Sequence, residues 1–135
     1  KSDGTKEGGA RAQSEKLEVE IKNSQSFKGL YEILKRNKSP DAEPLKKMLD
    51  QIRKVAQDQI KTRKLFIVSS LISSVNPDKY IKQGFIRIRF KEIRNNLMRD
   101  INDKFSREGS DLERITKDNK FWEETKNIID KYLEG

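Results

Sequence analysis

Two pairs of carboxylates are the first side chains in this sequence whose spacing could support acid–base or metal chemistry. Asp100 and Asp103 stand three residues apart, so on a helix they share a face, and Glu123 and Glu124 are adjacent. A working acid–base pair also needs a nucleophile, a base or a ligand close by. Arg99 and Lys104 flank the aspartates instead, which is the pattern of a balanced, solvated helix surface. The chain has no His and no Cys, so the most common zinc ligands and the usual general base near neutral pH are missing. No phosphate-binding glycine loop, dinucleotide fingerprint or nucleophile elbow occurs. The sequence therefore predicts a protein that is not an enzyme and needs no cofactor and no metal.

The basic residues offer a different kind of chemistry. The net charge is +8, and the segment from Arg53 to Arg94 holds eleven basic residues against three acidic ones. That segment alone accounts for the whole imbalance. In helical geometry Arg53, Lys61 and Lys64 form one stripe, and Arg87, Lys91 and Arg94 form a second. Side by side, the stripes would make one basic surface able to attract phosphates or acidic groups. The plainer account is that these long side chains solvate the outside of apolar helices. No RNA-recognition signature or zinc finger supports base readout. The sequence thus favours a protein partner, with RNA or DNA binding through residues 53–94 as the alternative. Tyr31 and Trp122 are the aromatic candidates for protein contact. Phe121 and Trp122 are neighbours and point about 100° apart on a helix, so one of them is expected to be exposed.

The elements that must position these residues read as helices throughout. Residues 1–14 contain three of the seven glycines and no large apolar residue, which predicts a flexible polar tail ahead of one helical domain over 15–135. Leu17, Ile21, Phe27, Leu30 and Leu34 follow a helical rhythm, broken by the polar stretch Lys22–Ser26, where Ser24 or Ser26 can cap a second helix. A further amphipathic series runs from Leu45 to Ile60. Leu65–Val75 is apolar nearly all round, so it is expected to be the most buried element, with Thr62-Arg63-Lys64 as a break or a passage within one long helix. Asn76-Pro77-Asp78 is a stop and restart.

Phe85–Phe90 alternates in part, as a strand does. The series Ile86, Phe90, Ile93, Leu97, Ile101 and Phe105 keeps helical spacing for longer, and no second strand is available to pair with a first. Helix is therefore expected. A capping box of Ser110 and Glu113 should start a short helix, and a last helix should span Asn119 to Leu133, with Glu123 and Glu124 in its first turn. The fold class that follows is all-α: a compact bundle of five or six mostly antiparallel helices.

The longest wholly apolar run, Leu65-Phe66-Ile67-Val68, is far short of the roughly 18 residues that a membrane span requires. The absence of Cys leans toward an intracellular, soluble chain, while a processed exported protein would look the same.

Overall fold

A computed structural model describes the backbone of residues 15–109 and 111–134, and the side chains of these except 65–68 and 112. The expected tail, 1–14, lies outside the described residues, as does Ser110. Every regular element among the described residues is helical: α1 (15–23), α2 (Phe27–Arg36), α3 (Ala42–Lys61), α4 (Leu65–Ser74), a 3-10 turn (Pro77–Lys79), α5 (Gly84–Glu108), α6 (Leu112–Lys117) and α7 (Asn119–Leu133). The chain is all-α, with seven α-helices among the described residues rather than five or six.

The extra helix comes from the break at Thr62-Arg63-Lys64. Arg63 adopts φ 59°, in the left-handed region, which ends α3 and turns the chain back into α4. Upstream, Ser26 is the cap that starts α2, its Oγ accepting from the Gly29 N–H at 3.0 Å. At the end of α2 the backbone and side-chain N–H groups of Asn37 both donate to the Ile33 carbonyl, at 3.2 and 2.7 Å. Asp41 precedes α3, and its Oδ1 accepts from the Lys82 N–H at 3.3 Å, tying the start of α3 to the start of α5.

The central element is α5. Its residues Ile86, Phe90, Ile93, Leu97 and Ile101 are each no more than 1% exposed. Phe90 meets Phe27 of α2 with ring centroids 4.7 Å apart, and Phe105 meets Phe121 of α7 edge-on at 5.2 Å. The partial alternation at 85–90 is resolved by this helix: Ile88 falls off the buried face and is 59% exposed. One hydrophobic cluster runs through all of these helices, from Ile21 to Leu133.

The expectation for α4 is not met over the side chains described. Of residues 69–74 only Ile72 is buried, and Leu71 is 38% exposed. The reason is positional: α4 packs on α3 and α5, and residues 70, 71, 73 and 74 are left exposed. Asp111 caps α6 by accepting from the Arg114 N–H at 3.2 Å, and the Ser110 half of the expected capping box lies outside the described residues. One end signal differs. The first turn of α7 contains no acid, so Glu123 and Glu124 fall in its second turn. Asp118 supplies the negative charge there, accepting from the N–H groups of Lys120 and Phe121 at 3.0 and 3.4 Å.

Candidate docking groove and the basic side chains around it

The two basic stripes sit on α3 and α5, whose principal neighbours are other helices. α3 packs on α2, α4 and α7, and α5 on α2, α4, α7 and the 3-10 turn. Arg53 faces the end of α7, with its Nε 3.4 Å from Glu134, and it also lies 3.8 Å from Asp50. Lys61 is exposed beside a cleft of about 340 Å³ between α3 and α7 that also includes Lys126. Lys64 is exposed in the connection after α3, so it continues no helical stripe.

The second stripe is held more tightly. Lys91 forms an ion pair with Asp78 at 2.9 Å, and Arg94 donates to the Val75 carbonyl at 2.6 Å. The Lys91 ammonium, with Arg87 and Arg94 nearby, holds the Asp78 carboxyl below the ordinary carboxylate range. These three residues gather where α4 ends and the 3-10 turn begins.

Two further basic residues have structural positions that spacing alone did not reveal. Arg63 donates to the Thr116 carbonyl at 2.6 Å and to the Asn119 side chain, joining the α3–α4 corner to the α6–α7 corner. Arg89 donates to the Ser24 carbonyl at 2.9 Å and to Glu92 at 2.8 Å, joining α5 to the α1–α2 connection. Part of the basic middle of the chain therefore satisfies carbonyls at helix ends.

The carboxylates are also engaged. Asp100 accepts the hydrogen bond of the Tyr132 hydroxyl. Burial, and then this contact with Asp100, push the Tyr132 phenol up to about 12. Glu124 accepts from Lys104, which lies 3.5 Å from Glu108 as well. Their contact raises the Lys104 ammonium and lowers the Glu124 carboxyl from their ordinary values. Asp103 and Glu123 are exposed. Among the described residues no group of three acids is placed to hold a metal ion, and no helix is long and apolar enough to cross a membrane.

The aromatic candidates are placed differently from expectation. Phe121 and Trp122 are both buried, Trp122 at 8% exposure. Its indole N–H donates to the Thr116 carbonyl at 3.1 Å, because α6 lies across the start of α7 and covers the ring. Tyr31 is half-buried against the core. Among the described side chains the exposed aromatic is Tyr80, at 55%. Its signal in the sequence is slight: it follows the Pro77 restart and belongs to neither flanking apolar series.

Tyr80 stands over a groove of about 230 Å³ between α3, α4 and the 3-10 turn. Met48, Ile52 and Val55 from α3 form one wall, and Leu71, Ile72 and Val75 form the other. A second depression of about 450 Å³ continues toward the start of α3 past Glu43, Pro44 and Lys47. Tyr80, Met48 and Gln51 border both. The sequence explains the shape. The left-handed turn at Arg63 brings α4 back along α3, and Pro77 then carries the chain off so that Tyr80 ends beyond the core. None of the carboxylates considered for chemistry lines these two depressions or the α3–α7 cleft. Comparison of the chain with protein-family models, with curated proteins and with solved structures gives no match.

Proposed function

We propose that this chain is a non-catalytic helical interaction domain, a bundle of mostly antiparallel helices, that binds a protein partner through the groove between α3, α4 and the 3-10 turn. One observation carries the reading. Tyr80 and Leu71, two large apolar side chains left exposed, line the same groove, together with Met48, Ile52, Val55 and Val75. Exposed apolar side chains scattered singly mean little, but two at one concave site are the usual mark of a docking surface. The engagement of Asp100 by Tyr132 and of Glu124 by Lys104 supports the non-catalytic part, since these carboxylates already serve packing between α5 and α7.

The nucleic-acid reading draws on Lys61 and Lys64, which are exposed. It draws less from Arg53, Lys91 and Arg94, which are held by Glu134, Asp78 and the Val75 carbonyl. A phosphate backbone would have to compete with those contacts.

The absence of Cys gives a direct test. A single Ser74→Cys substitution at the groove, coupled to a short photo-crosslinker, should capture partner protein from cell extract. The same label at Asn102→Cys, on the exposed side of α5, should not. Equal capture from both positions, or from neither, would remove the groove from the account.

A further inference from the structure

The groove carries information about its partner in the charges at its rim. Met48, Ile52 and Ile72 are nearly closed off in its floor, Val55 and Val75 are half-open, and Gln51, Ser74 and Asn76 add polar surface to the lining. The charged residues bordering the two depressions are Glu43, Lys47 and Lys79. Lys47 and Lys79 are exposed, and neither has an ion-pair partner among the described residues. Tyr80 borders both depressions, with Lys79 lining the first and Lys47 the second. Asp78, the nearest acid in sequence, is already neutralised by Lys91 at 2.9 Å. Glu43, exposed one turn before Lys47 on α3, is the one acid among these bordering residues. Two ammonium groups against one carboxylate leave the groove mouth with a net positive charge, within a chain of net charge +8.

On the reading that the groove docks protein, we infer that its occupant is an acidic amphipathic segment of the partner. A large apolar side chain of that segment sits between Val55, Leu71 and Val75, against the ring of Tyr80. Its carboxylates face Lys47 and Lys79. The apolar walls argue for a peptide over a nucleic-acid strand. A phosphate backbone gains from many cations, and two cations around an apolar floor suit one anchor residue with acidic neighbours. The charges at the rim act mainly on association rate and choice of partner, and the apolar anchor on the lifetime of the complex.

A random-peptide phage selection against the full chain tests this, with each selected peptide then synthesised and titrated against three proteins. These are the wild type, Tyr80→Ala and the double variant Lys47→Glu/Lys79→Glu. All three substituted side chains are exposed, so thermal unfolding of the variants should match the wild type. The expected peptides combine Asp or Glu with a large apolar residue and lose affinity with Tyr80→Ala. With the double variant they should weaken roughly tenfold or more and lose most of their salt dependence. Selected peptides that depend on Tyr80 but are basic or uncharged would overturn the acidic partner and leave the docking groove standing. Peptides indifferent to Tyr80→Ala would overturn the groove itself. Tight binding of an oligothymidine strand, lost in the double variant while no peptide competes, would replace the protein partner by a nucleic acid.

Discussion

The Tyr132 hydroxyl, near the end of α7, donates its hydrogen bond to the Asp100 carboxylate in the middle of α5. This links the last helix to the central one. It also places a mostly buried phenol against a negative charge, and both circumstances favour the neutral ring.

The pH dependence follows from that placement. The Tyr132 phenol rises from the ordinary 10.0 to about 12 in the folded chain. A group raised in the folded state contributes its full stability below its unfolded value and loses it as pH climbs toward the folded one. The folded chain should therefore lose stability between about pH 10 and pH 12, and Tyr132→Phe should lose less over that window. At pH 8 the same variant should cost about 1.5–3 kcal/mol, the usual worth of a hydrogen bond to a charged group. Urea unfolding of both proteins at pH 8, 10 and 12 checks both statements. A parallel fall would remove Tyr132 as the cause.

Lys104 gives a second prediction, at the acid end. Its ammonium contacts Glu124 of α7 and Glu108 one turn along α5, and it lies 5.8 Å from the ring centroid of Phe121. Glu124 is lowered from its ordinary value, so its contribution is present above pH 4.5 and fades as pH falls through the depressed value. Lys104 is raised, so its share fades only in strong alkali. Lys104→Met keeps the stem over Phe121 and removes the charge. It should lower the melting temperature by about 4 °C at pH 7 and by much less at pH 3. Equal shifts at the two pH values would mean that packing of the stem, and not charge, is what Lys104 supplies.

Arg63 combines a left-handed backbone with a clamp on Thr116 and Asn119. The two effects separate by substitution. Arg63→Ala removes the clamp and keeps the unfavourable φ, whereas Arg63→Gly removes both. The glycine variant should be the more stable of the two by about 1 kcal/mol, because glycine adopts this conformation without a steric penalty. Chemical denaturation distinguishes them, and the opposite order would mean that the turn is not held at positive φ in solution.

These relationships mark where the sequence could be read and where it could not. The buried face of α5 was visible from Ile86 to Ile101, because a step of three or four residues is a local property. The same holds for the Ser26 cap and for the span of α7. The exposure of residues 70, 71, 73 and 74 of α4 was not legible, because an apolar composition does not say how many neighbours a helix has. The position of Trp122 depended on α6 crossing the start of α7, a contact between elements. The groove was hidden for a similar reason. Met48, Leu71 and Tyr80 belong to three separate elements, and only the turn at Arg63 and the restart at Pro77 bring them together. The basic residues were visible as a charge excess. Their division between helix-end carbonyls, ion pairs and open solvent was not, since each partner lies far away in sequence, as Ser24 does from Arg89.

The last prediction separates docking from folding. Phe90 and Tyr80 are both aromatic and only ten residues apart, yet Phe90 is fully buried against Phe27 while Tyr80 is 55% exposed. Removing a buried ring leaves a cavity, so Phe90→Ala should cost about 3–5 kcal/mol and could leave the chain largely unfolded. Tyr80→Ala and Leu71→Ser remove surface that water already touches, and each should change stability by less than about 0.5 kcal/mol. Denaturant titrations followed by circular dichroism measure all three. A loss above about 2 kcal/mol for Tyr80→Ala would mean that its ring holds the 3-10 turn against α3, and its exposure would then have a structural cause. A negligible loss leaves an exposed aromatic side chain that the fold does not need, at the rim of a groove that the fold leaves open.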